Sequence, residues 1–229
     1  MKANRNRPRG IAEKRILIVD DHPMTRYGIA QLISQEPDLK VCGEVDNAHH
    51  ALAAVKTLKP DLVLADLAMP GKSGLELIRE LKAQHPEVAV LVVSMHDESI
   101  YAERVLRAGG RGYLMKNAGG EKLLQAIRRV LLGQVCVSEA MSDRIMDVFA
   151  GRRPGGARDS TLAALTEREF GVFELLGRGL TTRETAKHLH ISSKTVETHR
   201  LHIVEKLKLK GSSQLTKFAI CWGRAQGLV

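Results

Sequence analysis

Aromatic residues are scarce in this chain, and long apolar stretches are absent. Phe, Trp and Tyr make up 3% of the 229 residues, whereas hydrophobic residues as a whole make up 44%, an ordinary share for a globular protein. No apolar run approaches the roughly 18 residues of a membrane-spanning helix. The composition therefore favours a globular protein with aliphatic cores, and its length suits two modest domains.

Cysteine is also rare, and its spacing argues against the usual metal and redox motifs. Cys42, Cys136 and Cys221 are odd in number and form no CxxC pair. Free thiols in a reducing compartment are the expected state. The basic start of the chain runs into a predicted strand rather than into the apolar core of a signal peptide. We therefore expect a cytoplasmic protein with no membrane partner.

Positive charge is concentrated at the two ends of the chain, which carries a net charge of +9. Residues 1–15 hold six Lys or Arg against one Glu, and residues 161–229 hold eleven against six. Residues 16–137 are nearly neutral, with fourteen Lys or Arg against fifteen acids. A basic terminal module is typical of nucleic-acid binding. A solubilising surface would have the same charge, so charge alone leaves both interpretations open.

Short apolar runs alternate with helical periodicity between residues 16 and 137. Predicted helices end before Pro60 and Pro86, and a further helix is predicted to begin with Ser99 as its cap and to end at Gly109. Five strands alternating with five helices predict an α/β domain with a doubly wound parallel sheet. The predicted strands are residues 16–20, 40–45, 61–65, 88–94 and 112–115.

The remainder of the chain divides into a linker and a helical module. One candidate helix in the linker is followed by a stretch rich in Gly, Arg and Pro. Farther on, Thr166 and Thr181 each stand three residues before a Glu, the spacing of a capping box, and Ser192 is suited to cap the next helix. The resulting short helix, turn and long helix predict a helix-turn-helix motif. The predicted segments are a basic arm at 1–14, the α/β domain at 15–137, the linker at 138–160 and an all-α four-helix domain at 161–229.

Acidic side chains end two of the predicted strands. Asp20 and Asp21 follow the first apolar run, and Asp66 follows the third. The carboxyl ends of parallel strands meet on one edge of the sheet, where open α/β folds bind ligands. If the two strands are neighbours, three carboxylates converge. Such a cluster repels itself unless a cation holds it, so it predicts a divalent metal ion and a phosphoryl group that shares it.

The order and spacing of these motifs resemble those of the receiver domain of two-component response regulators. The residues that carry the resemblance are Asp20-Asp21, Asp66 with Met69-Pro70-Gly71, Ser94, Tyr113 and Lys116. The resemblance implies that Asp66 accepts a phosphoryl group from a partner histidine kinase. It also implies Mg2+ held by Asp20, Asp21, Asp66 and the backbone carbonyl of Ala68. Histidines such as His22 follow no metal-ligand spacing and are expected to be surface or core residues.

Three further residues have roles that this resemblance implies. Lys116 would bring a fixed positive charge to a phosphoryl oxygen. Ser94 would donate its hydroxyl to another oxygen after phosphorylation, and Tyr113 would then turn inward as a switch residue. The phosphoryl group would thereby change the face built from the fourth and fifth helices and the fifth strand.

The basic module, residues 162–229, resembles the LuxR-type helix-turn-helix domain, which places the whole chain in the NarL/FixJ group of response regulators. The matching segments are residues 165–169, 179–181, 184–186, 189 and 191–200. The resemblance implies binding to double-stranded promoter DNA and a homodimer formed through the last helix. Gly171 departs from the family pattern and is expected to weaken its helix slightly.

Helical geometry divides the long helix of this module into two faces. The residues predicted to face the core are Val196, His199, Ile203 and Leu207. Those predicted to enter the major groove are Lys194, Glu197, Thr198 and Leu201. Contacts with phosphates are predicted for Thr195, His199, Arg200 and Lys206, and for Thr182 and Arg183 on the preceding helix. A solvated outer face is the alternative, and for Lys206 it is equally compatible with the sequence.

Together these features predict a transcription regulator, not an enzyme, that is switched by phosphorylation of Asp66. One alternative is a constitutive DNA-binding protein whose receiver makes only protein contacts. Another is a phosphatase with an aspartyl-phosphate intermediate. That enzyme would need a second acid beside the nucleophile, and Ala68 stands at that place instead.

Overall fold

The computed structural model describes residues 13–69, 72–150, 162, 164–226 and 228. The chain divides into two compact units, with the boundary between Asp143 and Arg144. Nearly all of the predicted basic arm, the Pro70-Gly71 pair and the Gly- and Arg-rich part of the predicted linker lie outside the described residues. None of the described helices is long and apolar enough to span a bilayer.

The first unit is built on a five-stranded parallel sheet, which confirms the predicted fold class. Its strands are β1 (Lys14–Val19), β2 (Leu39–Val45), β3 (Leu62–Ala65), β4 (Ala89–Ser94) and β5 (Gly112–Met115). They are arranged in the order β2-β1-β3-β4-β5. The sheet core is aliphatic, and every residue of β3 is buried. Because β1 pairs directly with β3, with Val19 opposite Ala65, the acids that follow these two strands become neighbours.

Helices connect the strands and cover the sheet. They are α1 (Pro23–Ser34), α2 (Ala48–Leu58), α3 (Gly74–Gln84), α4 (Glu98–Ala108) and α5 (Gly120–Leu131). The prediction that Ser99 caps α4 was wrong. Asp97 is the capping residue, and its side chain accepts a hydrogen bond from the backbone N–H of Ser99. The carboxylate two residues earlier is the better acceptor for these exposed backbone donors. Gly109 ends α4 in the left-handed conformation, as predicted.

After α5 the chain returns along the outer strand of the sheet. The backbone N–H of Cys136 donates to the carbonyl of Arg111 at 2.9 Å, and Tyr113 N–H donates to the carbonyl of Cys136 at 2.8 Å. The next residues contact the first turn of α4, where Glu98 Oε1 accepts from the backbone N–H of Ser138 at 2.7 Å. Helix α6 (Glu139–Phe149) follows, so the predicted linker begins with a helix.

The second unit is helical in the part that the structure describes. It contains α7 (Glu167–Gly177), α8 (Thr182–Leu189), α9 (Ser193–Lys206) and α10 (Ser212–Ala225). Both predicted capping boxes are present, at the starts of α7 and α8. The side chain of Ser192 caps α9 by accepting from the backbone N–H of Thr195 at 3.0 Å. Local capping thus sets the boundaries of the helix-turn-helix motif.

Four of the eight aromatic residues of the chain lie on α7 and α10, namely Phe170, Phe173, Phe218 and Trp222. The ring of Trp222 lies edge-on to Phe170, with centroids 5.8 Å apart, and 5.1 Å from the ring of Phe173. The two helices approach closely at Gly177 and Gly223, where a Cβ added to Gly223 would lie 2.3 Å from the Gly177 carbonyl oxygen. Aromatic packing and glycine contact together hold α10 against α7.

Candidate functional site

The carboxyl edge of the sheet brings two buried acids together. Asp66 is 3% exposed and Asp20 is 2% exposed. The backbone N–H of Asp66 donates to the carbonyl of Val19 at 2.8 Å, because the β1–β3 pairing extends to this position. Asp66 Oδ1 accepts from the backbone N–H of Leu67 at 2.6 Å and lies 3.4 Å from that of Ala68. One oxygen of Asp66 is therefore held by the loop that follows β3.

The other oxygen of Asp66 faces a lysine. Lys116 Nζ lies 2.6 Å from Asp66 Oδ2 and 2.7 Å from Asp20 Oδ2. Its side chain is 11% exposed. Burial acts to lower the pKa of Lys116, but the hydrogen bonds to Asp20 and Asp66 outweigh this effect, so the pKa stays above its ordinary value. A full positive charge is thus placed between two carboxylates.

Four side chains at this edge have the geometry of a cation site. One ligand atom from each of Asp20, Asp21, His22 and Asp66 lies within 4.8 Å of all the others. Three of the four are carboxylates, the donors that Mg2+ prefers, so the residues present fit that ion. His22, which the sequence predicts to be a surface or core residue, is exposed. Its Nδ1 lies 2.7 Å from Asp21 Oδ1.

The predicted switch residues lie beside this pocket. Ser94 ends β4 and is fully buried. Tyr113 is 1% exposed, and its hydroxyl donates to the carbonyl of His96 at 2.8 Å. Burial raises the pKa of Tyr113 far above its ordinary value, and a contact with Ser94 only partly opposes this. The tyrosine expected to turn inward after phosphorylation is already inside in this structure, because its hydroxyl finds an acceptor on the loop after β4.

In the second unit, α9 presents the two predicted faces. Val196 and Ile203 are fully buried, Leu207 is 6% exposed, and His199 is half-buried. On the opposite side four residues are exposed: Lys194, Glu197, Thr198 and Leu201. The structure therefore brings the predicted groove-facing residues together on one solvent-exposed stripe.

Residues predicted to contact phosphates divide into two groups. Thr195 and Arg183 are exposed. Arg200, by contrast, is only 15% exposed, and its Nη1 donates to Thr182 Oγ1 at 2.9 Å. Lys206 Nζ lies 2.7 Å from Glu169 Oε2. Arg200 and Lys206 are therefore engaged within the unit, because the edge of α9 that carries them packs against neighbouring helices.

Comparisons with known proteins cover both units. A model of the response regulator receiver domain matches residues 16–128, and a model of bacterial regulatory proteins of the luxR family matches residues 163–219. The nitrate/nitrite response regulator protein NarL of Escherichia coli strain K12 is 38% identical over 197 residues, which cover 85% of this chain and 89% of that protein. The oxygen regulatory protein NreC of Staphylococcus aureus strain JH9 is 34% identical over 209 residues, which cover 90% of this chain and 96% of that protein.

Solved structures agree with this assignment. RcsB from Salmonella enterica serovar Typhimurium, solved bound to promoter rprA with phosphomimetic BeF3-, has a TM-score of 0.72, with 90% of this chain and 98% of that chain covered. At 23% identity it supports the fold alone. A two-component response regulator of the LuxR family from Aurantimonas sp. SI85-9A1 is 32% identical with a TM-score of 0.56, covering 61% of this chain and 99% of that one. From its fold and from relatives matched over most of their length, the chain belongs to the DNA-binding response regulators of two-component systems, the type that joins a receiver domain to a LuxR-type helix-turn-helix domain.

Proposed function

We propose that Asp66 is the phosphoacceptor of this response regulator. The observation that carries the proposal is the position of Lys116 Nζ, which lies 2.6 Å from Asp66 Oδ2. Asp66 is buried and directly follows β3. In the reaction a carboxylate oxygen of Asp66 attacks phosphorus, and the bond to the histidine nitrogen of the kinase breaks. Lys116 supplies positive charge to a phosphoryl oxygen during transfer.

Carboxylates of Asp20, Asp21 and Asp66, with the backbone carbonyl of Ala68, would hold Mg2+ beside the acceptor. The metal ion supplies charge neutralisation, which a carboxylate needs when it attacks an anionic phosphoryl group. Lys116 would then shift its contact from the acids to the new phosphoryl oxygens. The oxygen-rich donor set of the four-residue cluster supports this assignment.

The response to phosphorylation is proposed to pass through the loop after β4. Ser94 would donate to a phosphoryl oxygen, and this loop is already joined to β5 by the hydrogen bond from Tyr113 to His96. The same loop leads into α4, whose first turn holds the backbone of Ser138 through Glu98. A movement of the loop would therefore reach the start of α6, which leads toward the DNA-binding unit.

The exposed stripe of α9 is proposed to enter the major groove of promoter DNA, with two copies of the chain binding as a homodimer. Support comes from the separation of α9 into buried and exposed faces and from the excess of positive charge in residues 161–229. A cytoplasmic location follows from these partners, because promoter DNA lies in that compartment. Thr195 and Arg183 are the better-placed phosphate contacts, since both are exposed.

Substitution of the acceptor tests the proposal. Asp66→Asn should abolish covalent phosphorylation by acetyl phosphate with Mg2+, because an amide oxygen is not a competent nucleophile, while the fold is retained. Intact mass spectrometry measures the phosphoryl group, and promoter affinity measures the switch. Asp46→Asn, an exposed acid on the loop after β2, is the matched control and should behave as wild type. Phosphorylation that persists in Asp66→Asn would remove the assignment. Equal promoter affinity of the phosphorylated, unphosphorylated and Asp66→Asn proteins would instead favour constitutive DNA binding.

A further inference from the structure

We propose that Glu197 and Leu201 form the base-reading pair of this protein. In this proposal Glu197 accepts a hydrogen bond from the exocyclic amino group of a cytosine, and Leu201 contacts the methyl group of a thymine. Arg200 and Thr182 act as positioning residues that hold the Glu197 carboxylate. The inference rests on the proposed DNA binding through α9 and adds which bases that helix selects.

The Glu197 carboxylate is held in place before DNA arrives. Its side chain is 52% exposed, yet Thr182 Oγ1 donates to Oε1 at 2.8 Å and Arg200 Nη1 lies 3.7 Å from the same oxygen. Oε2 takes part in neither contact. A held carboxylate loses less side-chain freedom on binding than a mobile one. In addition, the nearby guanidinium offsets the repulsion between this acid and the DNA phosphates.

Arg200 is built into the unit rather than extended toward DNA. Besides Thr182, its guanidinium donates to Ser212 Oγ at 2.5 Å and to Thr216 Oγ1 at 3.4 Å. These partners lie on α8 and α10, so one arginine connects three helices at the point where Glu197 is exposed. We therefore assign Arg200 the positioning of an acid, in place of the phosphate contact that its sequence position predicts.

The chemistry of a carboxylate selects the base. An ionised Glu only accepts hydrogen bonds, whereas guanine presents two acceptors, N7 and O6, in the major groove and cytosine presents an amino donor. Glu197 therefore favours a cytosine and disfavours a guanine at the position it reaches. A lysine or arginine on the same stripe would have the opposite preference.

Leu201 lies one helical turn after Glu197 on the same stripe. Its side chain is 67% exposed, and it has no group that hydrogen-bonds to a base edge or a phosphate. Single exposed leucines are common on protein surfaces. This one lies four residues after a held acid, on the exposed face of α9 that also carries Lys194 and Thr198. The apolar contact open to such a residue in the major groove is the C5-methyl group of thymine.

Selection from a randomised duplex library tests the role of Glu197. The full-length wild-type chain should select cytosine at one position in each half-site. Glu197→Gln should change that preference to adenine, because an amide pairs with adenine N6 and N7. Glu205→Gln removes the same charge from the last turn of α9 and should leave the selected base unchanged. If Glu197→Gln selects the same base as wild type, the proposal is overturned.

Uracil substitution tests Leu201 without changing any hydrogen bond. Replacing the contacted thymine with deoxyuridine removes only the methyl group and should weaken binding of wild-type protein about fourfold, the effect of burying one methyl-sized group. Leu201→Ala should bind both duplexes with equal affinity. A wild-type protein that binds the two duplexes equally at every thymine of the selected site would overturn the role of Leu201.

Two variants test the positioning residues. Thr182→Val and Arg200→Lys should each reduce the preference for cytosine over the other bases at the position that Glu197 reads. An unchanged base preference in both variants would overturn the positioning roles of Thr182 and Arg200. The outcomes also separate this inference from the proposed function. Wild-type protein that binds no duplex overturns DNA binding through α9, whereas binding with no change of base preference in the Glu197 variant overturns the reading pair alone.

Discussion

At the scale of single residues, Lys116 decides the electrostatics of the pocket. Two buried carboxylates this close together repel each other. The ammonium group of Lys116 contacts both Asp20 and Asp66 and so offsets that repulsion. The same charge lies where an incoming phosphoryl oxygen would need it. One residue therefore stabilises the resting pocket and prepares it for phosphoryl transfer.

A second charged cluster makes stability depend on pH. Arg128 donates to Asp38 Oδ2 at 2.9 Å, and this hydrogen bond is the main reason that the pKa of Asp38 lies below its ordinary value of 3.8. A lowered pKa means that the contribution to stability is present above about pH 3.8 and is lost as the pH falls through the folded-state value.

Removing Arg128 should therefore reduce the free energy of unfolding more at neutral pH than in acid. We expect Arg128→Gln to reduce the free energy of unfolding by up to about 1 kcal/mol at pH 7, because the pair is partly exposed to water. The difference from wild type should shrink below pH 3.8. Urea unfolding at a series of pH values measures this difference. Arg107→Gln, which removes the ion pair between Arg107 and Glu103 on α4, is the control and should have a smaller effect. A difference that grows in acid would contradict the assigned role of Asp38.

At the scale of helices, two glycines of the DNA-binding unit have opposite meanings. Gly171 lies inside α7, and a Cβ added there would have only Leu189 Cδ2 near it, at an ordinary contact distance of 3.9 Å. Gly223 in α10 faces the backbone of Gly177, and an added Cβ would overlap the Gly177 carbonyl. Gly171 therefore weakens α7 although a larger residue would fit, whereas Gly223 allows α10 to contact α7.

Alanine substitutions should separate these two cases. Gly171→Ala should stabilise the DNA-binding unit by about 0.5–1 kcal/mol, because alanine loses less backbone freedom in a helix. Gly223→Ala should destabilise it by about 2 kcal/mol, since α7 and α10 must move apart. Chemical denaturation followed by Trp222 fluorescence measures both changes. Equal effects of the two variants would contradict the close approach of α7 and α10.

Sequence reasoning was most accurate where the signal is local. The capping boxes at Thr166 and Thr181 and the helix stops at Pro60 and Pro86 depend on a few adjacent residues, and the structure confirms the corresponding helix ends. Ser99 was misplaced because two neighbouring residues both suit a cap and only the structure separates them. Helix boundaries are therefore predictable to within a residue or two.

Side-chain partners between distant elements were harder to predict. The convergence of Asp20, Asp66 and Lys116 followed from strand ends that meet at one sheet edge, and the structure places them together. The intramolecular partners of Arg200 and Lys206 depend on how α9 packs against other helices, which periodicity does not contain. The contact of His22 with Asp21 depends on the turn after β1, which ligand spacing does not contain.

At the scale of the whole molecule, the chain is a receiver and a DNA-binding unit that fold around separate cores. The family, and its partner classes of histidine kinase and promoter DNA, are confirmed by the matched models and relatives. The first unit has an aliphatic core between sheet and helices, whereas the second relies on Phe170, Phe173 and Trp222. Because the cores are separate, we expect the two units to unfold in separate transitions.

Calorimetry should resolve this division. A ligand that binds only the folded state of one unit raises the melting temperature of that unit alone. We expect BeF3- with Mg2+ to raise one of two unfolding transitions and duplex DNA to raise the other. Asp66→Asn should abolish the first shift and leave the second intact. A single transition that both ligands shift equally would show that the two units unfold as one.

The return of the chain along β5 has a practical consequence for anyone who isolates the receiver. A strand at the border of a sheet exposes unpaired backbone groups that recruit other chains. Here the backbone of Cys136 pairs with part of β5. The backbone N–H of Ser138, two residues later, donates to Glu98 at the start of α4. A fragment that ends at residue 128, where the family match stops, would lack Cys136 and leave backbone groups of β5 unpaired, which favours aggregation. Soluble preparations should therefore extend through Ser138.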